Sequence, residues 1–340
     1  MKKFAIAAAI IAAGLLPALA ARADSVEKPD VSIAVGGKVA LYYLPLTIAE
    51  SKGYFKAEGL NARVLDFQGG SKSVQAVVGG SADILSSAYE HMINLQARGQ
   101  YLKTFVLQGR YPGFALSVAT AKADKYKTAA DLKGMKIGVT SPGSSTNIMV
   151  NLLLAKAGMS PNDVAIIGVG AGAGVVAAMK NNEVDAVVQA DPATSLLVAQ
   201  GLAVVKVDTR NEAGTTAVYG GPMPAASLSA KEDFIKENPK TIQALTNAMV
   251  RALHFIRNST DEELLAAIPK ESLLGGEHDL YVKMIPAVRP SYSPDGRISH
   301  TAADTALRVV AQQNSAVSQA KIDLARTYDN SFVSKVPKDR

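Results

Sequence analysis

Residues 69–85, GGSKSVQAVVGGSADIL, can be laid over residues 171–187, AGAGVVAAMKNNEVDAV, without a gap. The overlay sets Val74 on Val176, Ala76 on Ala178 and Asp83 on Asp185. A repeat at this distance constrains the fold, because each copy must form the same supersecondary unit and bury the same face. Two ordinary strand–helix–strand units could coincide by chance, so the repeat has to be weighed with its surroundings.

The surroundings agree with it. Residues 31–35, 62–67 and 83–85 read as short buried strands, separated by helical patterns at 45–51 and 71–78. The same alternation returns with strands at 137–139, 164–169 and 185–188 and helices at 146–157 and 174–181. Strands alternating with helices of this length indicate βαβ units around a mostly parallel sheet. Two similar α/β lobes are therefore expected. The last third turns helical, with Pro239 at the first turn of a long helix whose apolar stripe is Ile242, Leu245, Met249, Leu253 and Ile256. Further helices are predicted over 262–268, 278–285 and 302–312, packed back on the first lobe.

Composition narrows the function. Lys2 and Lys3 precede an apolar run, and Ala21-Arg22-Ala23 has the small-x-small pattern of a cleavage site, so residues 1–23 read as a secretory signal peptide. Removing them takes away Lys2, Lys3 and Arg22 and no acid, which lowers the net charge from +6 to about +3. The remaining cations are interspersed with acids, which argues against a nucleic-acid partner. The chain has no cysteine, so disulfides, thiolate nucleophiles and Cys-ligated zinc are excluded. An exported protein without a disulfide framework is expected in a periplasm, as a monomer.

Ligands of open α/β sheets bind at the carboxyl edge of the strands, where the next helix presents its free amides. The loops placed there are 36–44, 69–71, 86–90, 141–146, 170–173 and 189–191. The turn Ser141-Pro142-Gly143-Ser144-Ser145-Thr146-Asn147 has two readings. One hydroxyl suffices for an N-cap, but the surplus hydroxyls and Gly143 can also bring donors to an anion. Tyr42, Tyr43, Tyr89, Tyr111 and Tyr219 fall in loops or at lobe boundaries, where a phenol can stack and donate. Lys38 and Arg110 are the nearest cations. The glycines of 168–174 match a dinucleotide fingerprint only loosely, without the confirming acid. The four histidines show no metal spacing and no G-x-S-x-G elbow occurs, so neither catalysis nor a cofactor is called for.

The segments 42–64 (YYLPLTIAESKGYFKAEGLNARV), 69–84, 131–164 and 179–194 (MKNNEVDAVVQADPAT) resemble, in this order, the ABC-transporter solute-binding proteins for nitrate, taurine and sulfonates. That family also includes binders of thiamine-pyrimidine precursors. The resemblance implies a type II periplasmic binding fold, with two α/β lobes, two crossover strands and a ligand cleft between them. It implies lobe one from 24–112 and 222–340, lobe two from 113–221, and crossings near 111–115 and 219–225. By motif it assigns ligand contact to Tyr43, Gly70, Ser71, Ser87, Ser144, Ser145, Thr146 and Asp191, to which Tyr89 and Tyr219 are added from their loop positions. It implies a small anionic organic ligand, such as a sulfonate, delivered to the permease of an ABC importer. An aromatic carboxylate or a pyrimidine is the alternative solute, and a secreted enzyme on the same scaffold is the alternative class. Two departures bear on the solute. Many relatives carry Trp-Glu-Pro where this chain has Ala190-Asp191-Pro192, and there is no tryptophan, so the aromatic wall must come from tyrosine or phenylalanine. The cysteine-rich segment of the eukaryotic pyrimidine synthases is absent.

Overall fold

A computed structural model describes residues 26–274 and 278–337 of the protein, so the leader expected over residues 1–23 lies outside the described residues. Ten strands form two five-stranded sheets. The first contains β1 (Asp30–Val35), β2 (Asn61–Asp66), β3 (Ile84–Ala88), β4 (Leu102–Leu107) and β10 (Ala226–Lys231), in the order β2-β1-β3-β10-β4. The second contains β5 (Phe114–Ala119), β6 (Lys136–Val139), β7 (Ala165–Gly168), β8 (Ala186–Ala190) and β9 (Ala203–Asp208), in the order β7-β6-β8-β5-β9. The two orders are the same order. In each, four strands run in one direction and one runs antiparallel to them, β10 between β3 and β4 and β5 between β8 and β9. Both antiparallel strands are those the chain lays down on crossing, since β5 follows the first sheet's β4 and β10 follows the second sheet's β9.

The repeat has a structural counterpart. Asp83 accepts from the Ser32 amide at 2.9 Å and from Lys28 Nζ at 2.6 Å. Asp185 accepts from the Lys136 amide at 2.9 Å and from Lys122 Nζ at 2.6 Å. Each acid thereby ties the start of a central strand to its parallel neighbour. Burial alone would raise both carboxyls, but the ammonium and the backbone donor more than offset it and hold both below the usual carboxylate range.

The central strands β3 and β8 are buried at every position, as strands covered on both faces must be. The helix Pro239–Asn258 lays Ile242, Leu245, Met249, Leu253 and Ile256 into the first lobe, all at most 2% exposed. It packs on the helix Leu44–Ser51, on β4 and on the C-terminal turn Ser331–Ser334. Each such side chain stabilises the lobe by roughly 1.5–3 kcal/mol relative to exposure. The long helix of the tail thus packs on the first lobe, while the helix His278–Val288 also touches the second at Ala193–Ala199.

Candidate ligand cleft

The turns after β1, β2, β6 and β7 and the end of β8 meet between the two sheets around a cavity of about 30 Å³. It is lined by Tyr42, Tyr43 and Gly70 from the first lobe, by Thr140, Ser144, Ser145, Thr146, Ala171 and Gln189 from the second, and by Phe114 at the start of the crossover strand β5. A space of this size holds one or two waters. The lobes touch directly. Ser71 Oγ lies 2.7 Å from Ser141 Oγ and donates to the Pro142 carbonyl at 2.8 Å, and the Leu41 amide donates to the Asp191 carbonyl at 2.8 Å. Glycine is needed where the lobes come closest: a Cβ on Gly37 would stand 2.5 Å from Ala171 Cβ, and one on Gly69 would stand 2.5 Å from Ser141 Oγ.

The hydroxyl-rich turn is not an ordinary cap. Ser144 occupies the N-cap of the helix Ser145–Lys156, but its hydroxyl does not turn back on the first-turn amides. Instead Thr140 Oγ1 donates to Ser144 Oγ at 2.9 Å, while Thr146 Oγ1 lies 2.8 Å from Ser144 Oγ and 3.1 Å from Thr140 Oγ1. The Thr140 amide also donates to Thr146 Oγ1, at 3.0 Å. Two of the three hydroxyl–hydroxyl contacts leave the donor open, so the O–H of Ser144 or Thr146 can be turned toward the cavity by rotation alone. The helices Gly70–Val78 and Ala173–Lys180 likewise begin at the cleft on Gly69 and Gly172, with no side-chain cap. Three helix N-termini thus bring unoccupied amides and the positive ends of their dipoles to one place.

The ring wall is made by Tyr42, stacked on Phe114 with centroids 5.0 Å apart, and Tyr43, edge-on to Tyr42 at 4.8 Å. Burial pushes the phenols of Tyr42, Tyr43 and Tyr219 well above the usual range, so all three keep their protons. No lysine or arginine lines the cavity. Lys38 is paired with Glu50 at 2.6 Å, and Arg110 Nε donates to the Pro290 carbonyl at 2.9 Å.

Several expected residues converge here and two do not. Tyr43, Gly70, Ser144, Ser145 and Thr146 line the cavity, Ser71 bridges the lobes beside it, and Tyr219 is close enough to act electrostatically on Tyr42. Ser87 stands behind Gly70, where a Cβ on the glycine would meet Ser87 Oγ at 3.3 Å and His91 Nε2 at 3.5 Å. Tyr89 is turned the other way, into the first lobe, with its hydroxyl 2.5 Å from Thr327 Oγ1. Two neighbours in a tight turn point to opposite sides, and the apolar pocket under the C-terminal segment takes the ring. The Asp191 carboxylate is likewise engaged elsewhere, with Arg210 Nη1 at 3.0 Å and Ser195 Oγ at 2.6 Å, so that only its carbonyl serves the lobe contact.

Sequence reasoning missed Thr140 and Phe114, and it placed the loops 86–90 and 189–191 at the cleft without singling out Glu90 or Gln189. Glu90 is only 3% exposed and opens the helix Glu90–Gln96. Burial raises its carboxyl to about 7, against hydrogen bonds from the Ser145 hydroxyl of the other lobe and from its own amide. Burial likewise lowers the next residue, His91, to about 4, so its ring is neutral. Among the described residues, His91 Nε2 has no hydrogen-bond partner, and no cluster of His, Asp or Glu could hold a metal ion. No helix of the described residues is long and apolar enough to cross a membrane.

The profile of the NMT1-like family matches residues 25–269. A solved structure from Bordetella bronchiseptica RB50 is 48% identical, with a TM-score of 0.88, and covers 92% of this chain and 98% of that one. The putative binding protein YtlA of Bacillus subtilis is 25% identical over 261 residues, which is 75% of each chain. The alkanesulfonate-binding protein SsuA from Xanthomonas axonopodis pv. citri, solved bound to MOPS, is 18% identical with a TM-score of 0.72 and covers 90% of this chain and 100% of that one. That last likeness shows the periplasmic binding fold. Relatives also include enzymes: a 4-amino-5-hydroxymethyl-2-methylpyrimidine phosphate synthase of Schizosaccharomyces pombe is 28% identical over 146 residues, covering 42% of this chain and 40% of the synthase.

Proposed function

The chain belongs to the NMT1-like family, and from that premise we propose that it is the periplasmic solute-binding component of an ABC importer, capturing a small organic anion and handing it to a membrane permease. One observation carries the anion: three uncapped helix N-termini and a reorientable hydroxyl ring converge on a cavity that no cation lines. Amides and hydroxyls hold an anion through hydrogen bonds without a counter-charge. The likeness to anion binders such as SsuA supports the same reading. Any organic solute is larger than about 30 Å³ of space, so the lobes must part to admit it and close again. We propose that they divide at 112/113 and 221/222, with the crossing segments as the hinge, and that the closed monomer is the form the permease reads.

A second reading concerns the body of the solute. The wall of Tyr42, Tyr43 and Phe114 favours a flat ring, hence an aromatic carboxylate or a pyrimidine over a taurine-like chain. As for the enzyme class, Ser87 and His91 would be its nucleophile and base, but they are not hydrogen-bonded to each other. The binding role is therefore the one we adopt.

A thermal-shift screen of unfolded and refolded protein tests it, with taurine, alkanesulfonates, nitrate, bicarbonate, aromatic mono- and dicarboxylates and pyrimidines. A ligand at 100 times its dissociation constant adds about 2.7 kcal/mol, a rise of a few degrees for a chain of this size. We expect a hit among the organic anions that is lost in Ser144→Ala/Thr146→Ala. A hit untouched by that double substitution, or hits confined to cations and neutral solutes, would sink the anion reading.

A further inference from the structure

A second, larger cavity lies on the seam between the lobes. It encloses about 460 Å³ and shares no lining residue with the cavity beside Tyr42. Ser71 lines the larger space, and its hydroxyl bridge to Ser141 and Pro142 separates the two. The first lobe supplies one wall, from the helices Gly70–Val78 and Glu90–Gln96 and the segment that follows His300–Ala311. The second lobe supplies the other, from Pro142, Gly143 and the helix Ser145–Lys156. Small-molecule sites usually enclose about 300–1,000 Å³, so the size fits. Among the described residues that line it there is one cation, Arg98, and no acid. Arg98 is exposed, and its guanidinium makes no ion pair or hydrogen bond among the described residues. The amides nearby are only half used. Asn94 Oδ1 accepts from Asn314 Nδ2 at 2.9 Å and Asn151 Oδ1 from Asn147 Nδ2 at 3.2 Å, which leaves the NH2 groups of Asn94 and Asn151, one on each lobe, without a protein partner among the described residues. Gln313 has the opposite need: its Nε2 donates to the Val309 carbonyl at 3.2 Å, and its buried Oε1 has no partner. His91 Nε2 is unpartnered too, on a side chain 5% exposed. A buried polar atom without a partner is costly. Two of them in the lining of one cavity point to a molecule that supplies the missing bonds.

We propose that this cavity is a second ligand site, distinct from the cleft, and that it takes a hydroxylated monocarboxylate of sugar-acid size. Arg98 and the NH2 groups of Asn94 and Asn151 hold the carboxylate, as a guanidinium and free amide donors suit an anionic oxygen pair. Hydroxyls answer the rest of the lining. A hydroxyl both donates and accepts, so it satisfies Gln313 Oε1 and pairs with either tautomer of the His91 ring. One cation and no acid match a single negative charge, whereas a dianion would leave one charge unpaired. Val74, Leu95, Ile148 and Val310 give the carbon chain an apolar strip to lie on. A molecule held there touches both lobes, so its binding favours the arrangement in which they meet. The site stands independently of the anion reading of the cleft, with which it shares no lining residue.

Calorimetric titration of the refolded protein with gluconate, hexanoate and sorbitol tests the site. Hexanoate keeps the charge without the hydroxyls, and sorbitol keeps the hydroxyls without the charge. We expect saturable binding of gluconate, with hexanoate and sorbitol each weaker by about tenfold or more. Arg98→Gln should weaken gluconate by about tenfold and leave sorbitol unchanged. Asn151→Ala, on the other lobe, should weaken gluconate as well. Arg98→Gln should also leave the solute found for the cleft at its original Kd. Arg98 is exposed, so its replacement does not endanger the fold, and it decides alone if Asn151→Ala does not fold. Hexanoate bound as tightly as gluconate would reduce the site to charge attraction at Arg98 and overturn the proposal. Sorbitol bound as tightly as gluconate would remove the carboxylate from it and overturn it likewise. Absence of saturable gluconate binding overturns the second site and leaves the cleft reading untouched. Gluconate binding lost in Ser144→Ala/Thr146→Ala but kept in Arg98→Gln would move the molecule into the cleft, supporting the anion reading there and overturning the second site.

Discussion

The two lobes share one frame and present different chemistry. Their sheets have the same strand order, and Asp83 and Asp185 make the same clamp at the same place, each to a strand amide and to a lysine. At the cleft they diverge. The second lobe offers hydroxyls and amides on Thr140, Ser144, Ser145 and Thr146, while the first offers the rings of Tyr42 and Tyr43. Strands and clamps must satisfy packing in both copies, whereas the turns at the sheet edge are constrained only by what they touch. Divergence has therefore collected in the turns.

The largest expected effect breaks the frame where the lobes differ in bulk. Leu245→Ala, in the long helix found only in the first lobe, should destabilise the protein by about 2–5 kcal/mol. Because the larger buried cluster contains residues of both lobes, even though the second lobe keeps a smaller cluster of its own around Val175 and Leu197, a single transition should move, as followed by tyrosine fluorescence in urea. Separate transitions would mean that the lobes unfold independently. Next comes Glu90→Gln. An acid raised in the folded state binds its proton more tightly there than when unfolded, so stability is lost as pH rises from about 4.3 toward about 7. The substitution should raise Tm by several degrees at about pH 8 and leave it nearly unchanged near pH 4, as scanning calorimetry would read.

A smaller pair of substitutions tests the shared frame itself. Asp83→Asn and Asp185→Asn should each cost about 1–2 kcal/mol at neutral pH and should match one another, because the two clamps are geometrically alike. Both carboxyls are held below the usual range, so their contribution is present above about pH 4 and lost as pH falls further. Unequal costs would show that the likeness is one of shape and not of energetics. The smallest effect is expected from Lys38→Ala, whose ion pair with Glu50 is partly exposed and should contribute less than about 1 kcal/mol. Its removal should leave the ligand-induced rise in Tm intact, and a clear loss would bring Lys38 into the cleft.

The repeat of residues 69–85 in 171–187, the alternation of strand and helix, and the stripe from Ile242 to Ile256 are local patterns of period and composition, and they were enough to expect two α/β lobes with a helical tail. The turn 141–147 could also be singled out, because surplus hydroxyls at a strand-to-helix junction are visible in the letters. Its meaning could not. Whether Ser144 caps its helix or faces a cavity depends on Thr140 and Thr146, and the backbone brings those hydroxyls together only after folding. Tyr89 and Glu90 are neighbours in sequence, yet one is drawn under the C-terminal segment by Thr327 and the other is buried where the next helix starts. An acid in the first turn of a helix reads as dipole chemistry, and nothing local tells that Ser145, from the opposite lobe, will close over it. Lobes and strands follow from interactions a few residues apart, which the sequence alone determines. The ligand cleft is built from groups 50 or more residues apart, such as Glu90 and Ser145, and only the tertiary structure decides which of them meet, and with what charge.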